Sequence, residues 1–221
     1  MSCDTLNPKS AGAEMSLYEL PAHIVQKWFM SGRYGRVGTI GDGSCFFHSV
    51  CLAMNRGGYK DKSTKDKKAI ALDLRTELSE MFTHKAYTEI VKNVVTDTPT
   101  PYESIKEMLL KPATWAEEVM IKWTSKYLGC NIVFLNLSDS NMYCGVHDVS
   151  TASAIKKCED PETLTIIVAW VNHEHFELIV RLDGIHEDTN VKVRTAFDPK
   201  HEMDLITIRG VMKSYVTKCK V

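Results

Sequence analysis

The chain has 221 residues, 44% of them hydrophobic, which is enough to bury a substantial core and close to one domain with extensions. Its 27 Lys and Arg against 28 Asp and Glu leave a net charge of -1, excluding a global field that would recruit nucleic acid or an anionic membrane. Seven scattered cysteines, an odd number, exclude a dense disulfide framework and fit free thiols in a reducing compartment.

Residues 1–15, rich in Ser, Ala, Gly and Asn, read as a flexible lead-in to a single domain over 16–221. Nothing in 1–14 joins a basic segment to an apolar run, and no stretch approaches the ~18 apolar residues of a membrane span. The expectation is a soluble, cytoplasmic, monomeric protein with no membrane partner. Helical spacing after Pro21 predicts a helix over 22–30. Gly32, Gly35 and Gly38 then mark irregular backbone, and Gly41-Asp42-Gly43-Ser44 reads as a tight loop feeding a buried helix that starts at Cys45.

The run 59–68, with five lysines and two aspartates, reads as a solvated loop. Ile70, Leu74, Leu78, Met81 and Phe82 share one helical face, predicting a helix over 66–82. Shorter helices follow over 86–95 and 102–110, separated by a loop containing Pro99 and Pro101. Thr114 and Glu117 form a capping-box pattern, Trp115, Val119, Trp123 and Tyr127 line one face, and Gly129 supplies a stop. Beyond it, short runs rich in β-branched and aromatic residues predict strands over 131–137, 142–146, 164–171 and 176–182, with a hairpin loop at 172–175. Further strands are expected around 191–197 and 205–208.

Two stretches carry chemistry. Cys45 stands where a glycine-containing loop meets a helix start, and the unsatisfied N–H groups and partial positive charge there favour a thiolate and predict a lowered thiol pKa. The same loop can offer backbone N–H groups to an oxyanion, with Asp42 bracing it through local hydrogen bonds. His175 opens a strand in which it shares a face with Glu177, so a carboxylate stands where it could fix the ring tautomer. His173 is the competing imidazole and ranks behind His175. His48 reads as packing or polar support. Cys144 and His147 lack the second pair that tetrahedral zinc requires, so no metal or cofactor is expected.

The stretch 41–50 resembles the Asp-Gly-Xaa-Cys nucleophile motif of the ovarian-tumour (OTU) family of deubiquitinases, and His175-Phe176-Glu177 resembles its His-aromatic motif. Between them, Thr114-Trp115-Ala116-Glu117-Glu118 through Cys130-Asn131-Ile132-Val133 is similar to the family's Trp/Glu helix leading into a central strand. The likeness spans about 37–182, and its spelling resembles viral members. It implies an α/β fold of α+β character and papain type, with helices packed on a small, mostly antiparallel sheet. It further implies Cys45 as nucleophile, His175 as general base, Asp42 as support of the oxyanion loop, and ubiquitin, polyubiquitin or a ubiquitin-like modifier as partner. Many relatives carry Asp or Asn two residues after the histidine, where this chain has Glu177; Asn172 and Asp42 are alternative third members. Two rival readings share the motifs: a cysteine peptidase acting on ordinary polypeptide or a viral polyprotein, and a catalytically silent ubiquitin-binding module.

Overall fold

The computed structural model describes residues 11–92, 98–137, 160–172, 174–183 and 192–218. The predicted strand at 142–146, the Cys144 and His147 pair and His173 lie outside these residues. In chain order the elements are β1 (Leu17–Glu19), α1 (Ala22–Trp28), β2 (Tyr34–Val37), α2 (Cys45–Ala53), a 3-10 helix (Arg56–Asp61), α3 (Thr64–Met81), α4 (His84–Val91), α5 (Tyr102–Leu110) and α6 (Glu118–Leu128). Then come β3 (Asn131–Asn136), β4 (Thr165–Val171), β5 (His175–Asp183), β6 (Lys192–Arg194) and a final helix, α7 (Glu202–Lys218).

The strands form one mixed sheet in the order β1-β2-β5-β4-β3, with β6 added along β5. The β3–β4 pair is parallel and the other pairs are antiparallel. β4 is buried along almost its whole length because helices cover both faces of the sheet. Its Ile166 and Val168 join Phe46, Leu74, Leu78, Ile132, Phe134 and Leu178 in a core under the central helices. Its Ile167, Ala169 and Val171 join Trp28, Leu135, Ile179, Ile208 and Val211 in a second core under α1 and α7. The expected α/β architecture, helices on a mostly antiparallel sheet, is the one observed.

Four local expectations are corrected. Residues 205–208 lie within α7: Ile208, Val211 and Met212 recur at helical spacing on its buried side, together with the polar Asp204 and Thr207. Thr114 does not cap α6. Its N-cap is Glu117, with no side-chain cap, and Trp115 precedes the helix with 53% of its surface exposed. The run 59–68 is not a solvated loop throughout, since Tyr59 is buried and the buried Lys67 ammonium pairs with Glu14 at 3.1 Å. Finally, α3 begins at Thr64, where Ser63 accepts the Asp66 N–H as its N-cap.

Residues 11–16 are tied to the body of the domain. Met15 N–H donates to Gly38 O, Gly38 N–H donates to Ser16 O, and Gly12 N–H reaches the Glu177 carboxylate on β5.

Candidate active site

The loop 38–44 leaves β2 at the end of the sheet where β5 begins, and α2 starts directly from it. Phe46 on α2 packs against Phe134 on β3 and Phe176 on β5, with ring centroids 6.0 Å apart in both pairs. These contacts seat the start of α2 on the first residues of β5. Ser49 reinforces the junction, lying 3.4 Å from Phe176 O while donating to Cys45 O at 2.9 Å.

Cys45 is 4% exposed and is a free thiol. Burial pushes its pKa up, while the backbone amides of Phe176, Phe46 and Cys45 itself oppose that rise. The expectation of a depressed thiol pKa is therefore overturned: the helix-start amides favour the thiolate, but desolvation outweighs them. The Phe176 amide that faces the sulfur belongs to the residue next to His175. Among the described residues no hydrogen bond joins the sulfur to the imidazole, a contact that commonly tightens only in a substrate complex.

The His175 pKa is lowered, chiefly by burial and against a backbone hydrogen bond to Thr39. Its Nε2 lies 3.4 Å from Thr39 Oγ1, and that hydroxyl donates its one hydrogen to Phe176 O at 2.5 Å. Toward the ring the hydroxyl can then only accept, an arrangement that favours the imidazole hydrogen on Nε2 and leaves the Nδ1 lone pair free. Nδ1 lies on the Gly41 side, 3.9 Å from where a Cβ on that glycine would stand.

Thr39, which the sequence did not single out, stands at the His175 ring where Glu177 was expected. The Glu177 carboxylate is fully buried, 3.0 Å from Arg36 and accepting from Gly12 N–H; among the described residues no ion pair or hydrogen bond joins it to His175. Burial pushes Glu177 up and Arg36 down, and their mutual attraction opposes both shifts. Asn172 occupies the exposed hairpin turn with φ 54°, and among the described residues no hydrogen bond joins it to the ring.

Asp42 braces the loop as expected, its Oδ1 accepting the Ser44 N–H at 3.1 Å. Around it the loop is locked to the segment after α5. Ser44 Oγ donates to Pro112 O at 2.7 Å, and the fully buried Arg75 donates to Ser44 Oγ at 3.2 Å and to Thr114 O at 3.0 Å. Other Arg75 donors reach the carbonyls of Met108, Leu109 and Lys111 at the end of α5, where a cation complements the exposed carbonyl dipoles. With these carbonyls as partners, burial brings Arg75 down to about 10, against the attraction of Asp42.

No group of three or more His, Cys, Asp or Glu suited to a metal occurs among the described residues. Nor does any described helix have the length and apolar character to cross a membrane.

Comparison with family models matches residues 40–176 to the OTU-like cysteine protease. No curated protein matches. Among solved structures, the chain is similar to an OTU domain in complex with ubiquitin at 15% identity and TM-score 0.47, covering 82% of this chain and 84% of that one. It is similar to the Hazara virus OTU bound to ubiquitin at 18% identity and TM-score 0.42, covering 68% and 83%. An OTU deubiquitinase from Wolbachia pipientis wMel bound to ubiquitin matches at 13% identity and TM-score 0.41, covering 67% and 96%.

Proposed function

The chain belongs to the OTU-like cysteine protease family, and from that premise we propose that it is a deubiquitinase cleaving the isopeptide bond between a ubiquitin C-terminus and a lysine. The observation that carries this reading is the junction of α2 and β5, where the Cys45 sulfur faces the Phe176 amide beside an imidazole whose Nε2–H tautomer Thr39 favours.

With its thiol pKa raised and its imidazole pKa lowered, the pair rests as neutral thiol and neutral base. Nδ1 of His175 takes the Cys45 proton as the sulfur bonds to the carbonyl carbon of the modifier's last residue. The oxyanion so formed is met by amides at the start of α2, which have no partners within the helix, and by the loop that Asp42 braces. Collapse breaks the C–N bond as imidazolium gives its proton to the leaving lysine amine. Water, deprotonated by the same nitrogen, then hydrolyses the thioester and restores the thiol. Glu177 serves this site by fixing β5 against β2 through Arg36.

Ubiquitin or a ubiquitin-like modifier is the partner this reading implies, with a monomeric single domain that takes in residues 11–15 as well as the expected 16–221, acting in the cytoplasm. Among the described residues Cys45, Cys51 and Cys130 are free and buried, which fits that reducing setting.

Hydrolysis of diubiquitins and of a fluorogenic ubiquitin C-terminal amide tests the proposal. Cleavage of at least one linkage is expected, with an acid limb of kcat/KM below pH 6.5, because a depressed His175 pKa keeps the base neutral further into acid. Cleavage of unrelated peptides alone would favour the ordinary peptidase. Ubiquitin binding with every linkage left intact would favour the silent module.

A further inference from the structure

His48 lies on α2 one turn beyond Cys45 and is wholly buried. Its Nε2 is 3.1 Å from Asp42 Oδ1 and 3.3 Å from Oδ2, while its Nδ1 is 2.7 Å from the Tyr59 hydroxyl. An ionised carboxylate only accepts, so Nε2 carries the hydrogen; a neutral imidazole then accepts at Nδ1, and Tyr59 is the donor. The bonds run in one direction, from the Tyr59 hydroxyl through His48 to Asp42, whose carboxylate also receives the Ser44 N–H.

Tyr59 can close this chain because Gly57 and Gly58 adopt φ of 57° and 70°, turning the backbone so that its ring folds inward to 1% exposure. A phenylalanine would fill the same space. Without the hydroxyl, however, the buried Nδ1 loses the donor that fixes the ring plane, so the imidazole, its hydrogen still kept on Nε2 by the Asp42 carboxylate, can turn and slacken that bond.

We propose that Tyr59 and His48 are positioning residues of the hydrolytic site: Tyr59 holds the imidazole in one orientation, and His48 through it holds Asp42 on the Ser44 amide ahead of Cys45. The assignment rests on the protease reading for its consequence in turnover, and on the bonds alone for its geometry.

The test uses Tyr59→Phe in the full chain, with ring ¹⁵N shifts of His48 and the amide ¹H shift of Ser44 read by NMR beside kcat and KM on the fluorogenic ubiquitin amide. In the parent protein His48 shows the neutral Nε2–H tautomer and Ser44 a downfield amide. In Tyr59→Phe the Nε2–H tautomer stays but the Nδ1 signal moves as its hydrogen bond is lost, the Ser44 amide moves upfield, and kcat falls on the order of tenfold or more with KM little changed. His48→Gln, whose amide can donate to Asp42 and accept from Tyr59, retains more kcat per folded molecule than His48→Phe.

An imidazolium or Nδ1–H tautomer in the parent overturns the proposal, as does an unmoved Ser44 amide with unchanged kcat in Tyr59→Phe, or equal kcat in His48→Gln and His48→Phe. If the parent hydrolyses no modifier, the protease reading fails while the NMR signals still decide the relay.

Discussion

Replacing Cys45 with alanine is expected to lower hydrolysis of a ubiquitin C-terminal amide on the order of 10⁴-fold or more, since no acyl-enzyme can form without the sulfur. Folding should survive, because the change removes one buried sulfur from a helix that Phe46 and Phe47 continue to anchor, at about 1 kcal/mol. The same variant should bind ubiquitin at least as tightly as the parent. His175→Ala is expected to lose about 10²- to 10⁴-fold, the share of general acid–base catalysis, while keeping the thiol. Progress curves at enzyme concentrations matched by active-site titration of the parent check both. Residual activity in Cys45→Ala within tenfold of the parent would mean that another group performs the attack.

The second large effect is expected at Gly43. Its φ is +85°, and a Cβ there would stand 2.5 Å from both the carbonyl carbon and oxygen of Ala113. Two independent penalties therefore meet at one residue: a left-handed backbone that side chains rarely adopt, and a clash with backbone that Arg75 and Ser44 hold in place. Gly43→Ala should cost about 2–4 kcal/mol of stability and at least ~10²-fold in kcat/KM, because relief requires the nucleophile loop to move away from the segment after α5. Gly41→Ala supplies the contrast. A Cβ there would make ordinary contact with His175 at 3.8 Å, so its loss should be clearly smaller. Thermal unfolding and kcat/KM measured side by side distinguish the two, and equal effects would contradict the account of the locked loop.

The parts of the fold legible in the sequence are those set by local periodicity. Ile70, Leu74 and Leu78 announce α3 because a one-sided helix must repeat its apolar residues at that spacing. Within α7, residues 205–208 read as a strand because its buried side carries Asp204 and Thr207, which break the apolar stripe, while its β-branched residues imitate strand composition. Trp115 falls outside α6 for a related reason. The Thr114 and Glu117 pattern is a local signal, yet the Thr114 carbonyl is taken by Arg75 from another helix and the backbone turns helical only after Glu117.

The site divides along the same line. Cys45, His175 and Asp42 are visible because each stands in a short motif with a local reason for its chemistry. Thr39, Arg75 and Tyr59 are not, because their roles lie in contacts between elements: Thr39 with the start of β5, Arg75 with the end of α5 and the nucleophile loop, Tyr59 with a histidine on α2. Glu177 shows the limit of alternation arguments. Strand geometry places it on the imidazole's face, but the Arg36 guanidinium and the Gly12 N–H claim the carboxylate first. The raised pKa of Cys45 has the same origin, since burial is a property of the packed junction and a helix start read from sequence carries no measure of it.

Ubiquitin carrying an electrophile at its C-terminus, followed by peptide mass spectrometry, tests the central claim most directly. The account predicts one covalent adduct, on the peptide containing Cys45, absent in Cys45→Ala and formed more slowly in His175→Ala. An adduct on any other cysteine, or no adduct with protein shown to be folded, would contradict it.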